Sequence, residues 1–351
     1  MKKKFIYYVL SLALLAYFIV IVINYKVDAL GLNSKQNYYL KDASYARYQN
    51  IGIAKNNPYE TIITGTSLSE NFKTSLSNEI FATKTIKIPM SGASAKEQNI
   101  LVSKAISKNT KRVIWDIHYT AYHGSSDRMH KSYEFPLFLY DDNKLNDLKF
   151  YGSFDAFKLS VKKILFKGKY FTNNFDDLYN WYTSDENKFG KENVKAYVKS
   201  FSKKIADSSY NKEYGYRYLK ENFDKNILPI VASNPNVSFE FYFPPYTPYY
   251  FLGFYKTDML DDIIMFKQYF IENSFKHKNM HIHDFSVDYS TLENLNNYKD
   301  THHFSQAISD DILTKISHRE FEVDQSEYLE KNIENYQQYL EKNLGRENDI
   351  F

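Results

Sequence analysis

Gly65-Thr66-Ser67 closes a short β-branched run, Thr61 to Thr64, and opens a polar, helix-compatible stretch that continues to Phe72. A strand, a tight glycine turn and a helix start present a serine hydroxyl at the carboxyl edge of an α/β sheet, which makes Ser67 the candidate nucleophile. Taken alone, a G-x-S is more often an ordinary helix start, with Ser67 or Ser69 as N-cap. A serine nucleophile needs a base to take its proton and an acid to orient that base. Asp300-Thr301-His302-His303, ahead of the helix-like run Ser305 to Ile316, offers both. Its D-x-x-H spacing on a turn can bring the Asp300 carboxylate to Nδ1 of His303 and leave Nε2 for the serine, with His302 turned away. A third element is Gly92 in Met90-Ser91-Gly92-Ala93-Ser94, whose backbone N–H, with that of Ser67, can form an oxyanion hole. Ser94 and Glu97 read as a capping box, so Ser94 marks a helix start.

Two other groups carry chemistry less clearly. On a strand His281 and His283 share a face and with an outside carboxylate could hold zinc, but no third ligand stands at a recognisable spacing. The reading is therefore no metal and no cofactor. In Phe243 to Tyr250 the prolines fix a loop where Tyr246, Tyr249 and Tyr250 could stack on a sugar or line an acyl pocket, although packing is the commoner fate of such rings. The chain of 351 residues has no cysteine, which excludes disulfides, thiolate metal sites, a cysteine nucleophile and a lipidated cysteine. With Lys2, Lys3 and Lys4 set aside, the remaining basic residues equal the 42 acidic ones, so the body carries no nucleic-acid footprint.

The positioning elements follow from hydrophobic pattern. Phe5 to Ile23 is an uncharged apolar run long enough to cross a bilayer, preceded by lysines. It is long for a signal peptide, and no small-x-small cleavage site follows, which predicts an uncleaved anchor with the body outside the cytoplasm. Strand-like runs at Thr61–Thr64, Thr85–Met90, Arg112–Tyr119, Ser238–Phe243 and Met280–Val287 alternate with helix-like stretches at Ser94–Lys108 and Thr257–Lys276, a βαβ pattern that predicts a mostly parallel three-layer sheet. The expected organisation is a cytoplasmic tip and anchor over 1–25, a linker over 26–58, an α/β domain over 59–320 with a helical cap inserted at about 121–226, and a helical tail over 321–351. The stripe of Tyr328, Leu329, Ile333, Tyr336 and Leu340 in that tail is expected to dock on its own domain, a partner-binding helix being the alternative.

The ordered set of Gly65-Thr66-Ser67 after the first strand, Gly92 after the second and D-x-x-H before the final helix resembles the SGNH or GDSL hydrolase superfamily. More closely it resembles the membrane-anchored envelope branch that includes the D-alanyl-lipoteichoic acid transfer protein and alginate O-acetylation proteins. The likeness runs from about Tyr59 to Ile316 and touches the anchor, the Ser91–Gln98 run and Phe243-Pro244-Pro245-Tyr246. It implies a flavodoxin-like parallel sheet, Ser67 as nucleophile, His303 as base, Asp300 as its orienting acid, and the N–H groups of Ser67 and Gly92 as oxyanion donors. Two positions depart from the pattern: Thr66 stands where Asp is usual, and Asp116-Ile117-His118-Tyr119 lacks the Asn of G-x-N-D. A third oxyanion donor is then missing or supplied by another group such as His118. The resemblance implies a bacterial extracytoplasmic serine acyltransferase or esterase acting on a cell-envelope polysaccharide or teichoic-type polymer, beside a membrane-bound O-acyltransferase partner. The alternative is a noncatalytic scaffold of the same fold.

Overall fold

The β-branched and aromatic runs pair into one parallel sheet of β1 (Thr61–Thr64), β2 (Thr85–Lys87), β3 (Arg112–Asp116), β4 (Ser238–Phe243) and β5 (Met280–Asp284), in the order β2-β1-β3-β4-β5. The computed structural model describes residues 2–182, 188–206, 212–323 and 326–345. Every residue of β1 is buried, as expected where helices cover both faces of a parallel sheet. The strand order reverses between β1 and β3, so a crevice opens outside their carboxyl ends. Three strands stop short of their sequence runs. β2 ends before Pro89, which has no N–H for a ladder, β3 ends at Asp116, and β5 ends where the Asp284 side chain turns back to accept from the Ser286 N–H.

Ten helices carry the description: α1 (Lys2–Val27), α2 (Ala46–Asn56), α3 (Thr74–Phe81), α4 (Ala95–Ala105), α5 (Phe154–Tyr170), α6 (Lys191–Ala206), α7 (Tyr216–Asn226), α8 (Leu260–Ser274), α9 (Gln306–Ser317) and α10 (Ser326–Leu344). α3 packs on α9, while α4 packs on α2 and α7, α7 on α8, and α8 on α10. Right-handed crossovers put α3, which joins β1 to β2, on one face of the sheet, and α4, which leads back to β3, on the other. The sheet is thus the middle of three layers. Both halves of the capping box at α4 are made: the Ser94 hydroxyl accepts from the Glu97 N–H at 3.2 Å, and the Ser94 N–H donates to Glu97 Oε2 at 2.9 Å.

The expected boundaries need correction at 26–58, which is part of the fold. Leu30, Leu40, Ile51 and Ile53 are buried in the main core, and Tyr39–Leu40 pairs antiparallel with Phe171–Thr172. Its polar letters hide a working interior, because Arg47, Gln49 and Asn50 are buried and each is hydrogen-bonded. The 121–226 stretch is likewise not one separate cap. α7 belongs to a layer, α5 runs beside α1, and the Asp176 carboxylate between them accepts from Thr74 and Ser75 at the start of α3. In α10, Tyr336 and Leu340 are buried and the helix packs on α8. Residues 324–325 and 346–351 of the expected tail lie outside the described residues. α1 leaves Phe5 to Phe18 exposed and, with a mean hydropathy of 2.6, is long and apolar enough to cross a membrane.

Candidate active site

Gly65 leaves β1 with φ +128°, a value side chains avoid, and a Cβ there would run into the Asp116 carboxylate. That carboxylate, at the end of β3, accepts from the Thr66 N–H at 2.7 Å, the Thr66 hydroxyl at 3.1 Å and the Ser69 hydroxyl at 2.7 Å. Burial pushes Asp116 up to about 6 although these three donors favour its charge. The cap of the following single turn, Ser67–Ser69, is Thr66 rather than either serine. Within that turn Ser69 and Glu70 donate to the carbonyls of Thr66 and Ser67, and among the described residues the Ser67 N–H has no acceptor. Met90 N–H donates to the Gly65 carbonyl at 2.9 Å, so the segment after β2 runs along the turn. Gly92, at φ +63°, bends it, and among the described residues its N–H also has no acceptor.

His303 arrives from the loop after β5. The Asp300 carboxylate accepts from the backbone N–H groups of His302 and His303, each at 2.9 Å, and lies 2.7 Å from His303 Nδ1. Burial opposes its charge, but the two imidazoles and these hydrogen bonds outweigh burial and hold the carboxyl well below the usual carboxylate range. A carboxylate can only accept, so Nδ1 carries the proton and Nε2 presents its lone pair. Nε2 stands 2.9 Å from Ser67 Oγ. Burial and neighbouring His303 lower His302 to about 3, which keeps its imidazole neutral beside the pair.

His118 reaches the site through Thr66. Its Nδ1 lies 3.3 Å from Thr66 Oγ1 and 3.2 Å from Thr120 Oγ1, while Nε2 is buried without a hydrogen-bond partner among the described residues. Burial, with His302 and His303 as close neighbours, drives His118 well below its ordinary value. Tyr246 is wall rather than open pocket: it is 1% exposed, stacks on Tyr250 at 4.2 Å, backs His118 and donates to the Ile117 carbonyl.

Three contributors escaped the sequence reading. Trp181 Nε1 donates to the Ser67 carbonyl at 3.1 Å, and its ring meets His303 edge to face at 5.2 Å. Arg47 on α2 makes a two-pronged ion pair with Glu97 at 2.9 and 3.1 Å and donates to the Ser91 carbonyl at 3.2 Å, while Asn50 donates to the Pro89 carbonyl at 2.8 Å. α2 therefore grips the segment that presents Gly92. Asp116, the third, ties the Ser67 turn to β3. A lone Trp in an aromatic stretch and an Arg in a polar one carry no spacing signal. The Thr66 hydroxyl next to a strand-end carboxylate was the one available hint.

Asp300, His302 and His303 offer ligand atoms all within 4.8 Å of one another, but both ring nitrogens of His303 are already engaged, Nδ1 with Asp300 and Nε2 with Ser67, so an ion would displace one of those contacts. His283 bonds Glu240 and the Glu320 carbonyl through its two ring nitrogens, and His281 bonds Glu322. A cavity of about 650 Å³ lined by His123, Arg128, His130, Lys131 and Glu213 opens beside Gly92, where a Cβ would stand 3.0 Å from His130 Nε2. No family model, no curated protein and no solved structure matches this chain.

Proposed function

We propose that the chain is an extracytoplasmic serine acyltransferase or esterase of SGNH type, held to its membrane by α1 with the lysine-bearing end in the cytoplasm. The observation that carries the reading is the line from Ser67 Oγ through the His303 ring to Asp300, with spacings of 2.9 and 2.7 Å. Ser67 Oγ attacks an acyl carbonyl while its proton passes to Nε2, and the Asp300 charge stabilises the imidazolium. The N–H groups of Ser67 and Gly92 receive the oxyanion. Collapse expels the leaving group, which takes the proton back from His303, and leaves an acyl-serine. A hydroxyl of an envelope glycan or teichoic-type polymer, or water, then repeats the cycle in reverse order. The cavity beside Gly92 supports a bulky acceptor, and a membrane-bound O-acyltransferase is the proposed donor-side partner.

The test is covalent labelling of the full-length protein in detergent by a fluorophosphonate, read by intact mass for the native chain, Ser67→Ala and His303→Ala. An adduct on Ser67 that both substitutions abolish is expected. A folded native chain that takes no label would turn the reading to a noncatalytic scaffold.

A further inference from the structure

Between Asn143 and Tyr170 the sequence carries seven lysines and two aspartates. The same stretch leaves Leu145, Leu148, Phe154, Ile164, Leu165 and Phe166 between 45% and 78% exposed. Large apolar side chains gathered in the open mark an interaction surface. Their place in the fold says with what. Asn24 Nδ2 donates to the Tyr151 carbonyl at 2.7 Å, the Tyr25 ring meets Tyr151 at 5.4 Å, and a Cβ on Gly152 would collide with the Tyr17 hydroxyl. Farther along, Lys163 Nζ donates to the Asp28 carbonyl at 3.0 Å. Residues 151–152 therefore lie beside α1 between the Tyr17 hydroxyl and Tyr25, and Lys163 lies beside Asp28, about 8 Å past Ile23 at the ordinary helical rise.

Tyr17 lies inside the apolar run that ends at Ile23, about 9 Å short of its end at that rise. If α1 spans a bilayer, the turn bearing Leu145, Leu148 and Phe154 sits beside the outer end of the apolar run, at the boundary of headgroups and acyl chains where interfacial helices bury their apolar faces. Lys149, Lys158 and Lys162 flank it with stems long enough to lay over apolar surface, the Lys158 head pairing with exposed Asp155 at 3.3 Å. A lipid occupant is favoured because the patch is continuous with the exposed face of α1 and shares its depth.

We infer that the turn over residues 145–154 forms a second membrane attachment, dipping into the leaflet that faces the body and fixing the tilt of the sheet, and with it the Ser67 crevice, relative to the lipid surface. This rests on the reading of α1 as a membrane span. Because the chain has no cysteine, Leu12→Cys, Leu145→Cys, Phe154→Cys and Lys276→Cys each take a single environment-sensitive fluorophore in the full-length protein, reconstituted in vesicles of phosphatidylcholine and phosphatidylglycerol. Lipids carrying a nitroxide deep in the acyl chain should quench the Leu12 position. Lipids with a shallow nitroxide should quench positions 145 and 154, which aqueous iodide should reach several-fold less well than position 276. If position 12 lies in lipid while 145 and 154 are as open to iodide as 276, the second attachment is overturned and the anchor stands. If iodide reaches position 12, both fall.

Discussion

The Asp300 carboxylate does two jobs with one set of oxygens: it ties down the backbone of His302 and His303 and fixes the proton of His303 on Nδ1. Asp300→Asn separates them. The amide oxygen can still accept from the backbone, so the loop should keep its shape and the protein its unfolding midpoint. The amide nitrogen, however, can donate to Nδ1, which drives the ring proton to Nε2 and removes the lone pair Ser67 needs. The rate of Ser67 phosphonylation by fluorophosphonate should then fall on the order of 10³–10⁴-fold, as when a serine–histidine pair loses its orienting carboxylate. A loss under about tenfold would deny Asp300 that role. The residues legible in the sequence, Ser67, Gly92, Asp300 and His303, each follow a strand within a short local motif. Asp116, Arg47 and Trp181 were not legible because their partners stand 50, 50 and 114 residues away, and only tertiary packing brings them together.

At the scale of elements, β4 and β5 are locked by more than their ladder. Glu240 Oε2 lies 3.0 Å from His283 Nε2, with Arg112 on β3 at 3.5 Å from the other oxygen. Burial opposes charge on Glu240, but the His283 hydrogen bond and charge, with the Ser238 hydroxyl, outweigh it and hold its carboxyl down to about 2, from 4.5. A carboxyl depressed on folding stabilises the native state above its unfolded value, and that contribution is lost as pH falls through the folded one. The contribution is on the order of 3 kcal/mol, to be lost between about pH 4.5 and pH 2. Glu240→Gln should therefore cost stability at pH 7 and much less near pH 2.5, read from urea midpoints; a difference that stays constant with pH would place the stability elsewhere. The same pair shows what two histidines on one strand face bond to here. Period-two alternation set their common direction correctly, but not the carboxylates that neighbouring segments would bring. Strand existence and parallel order were readable from β-branched runs alternating with helices, whereas strand ends depended on Pro89, Asp116 and Asp284 acting on the backbone.

For the whole molecule, the question is where the folded body begins. Composition made 26–58 look like a tether, because Lys, Asn and Tyr dominate it and its apolar residues show no long periodic run. In the fold it supplies α2, which grips the Gly92 segment, and Arg47, the only described charged partner within ion-pair distance of buried Glu97. Burial of Leu30, Leu40, Ile51 and Ile53 stabilises by about 6–12 kcal/mol at 1.5–3 for each side chain. That is comparable with the whole stability of a domain, about 5–15 kcal/mol. Leaving Glu97 buried and unpaired adds about 3–5 kcal/mol more. A chain starting at Asp28 keeps all of these contacts, including the Asp28 carboxylate that accepts from the N–H groups of Leu32, Asn33 and Ser34. It should unfold cooperatively in urea and take a fluorophosphonate on Ser67. A chain starting at Tyr59 should show neither behaviour, although it holds Ser67, Gly92, Asp300 and His303 intact. If the shorter chain does unfold cooperatively and labels on Ser67, α2 is dispensable, and the geometry of the Gly92 segment must be set by β2 and α4 alone.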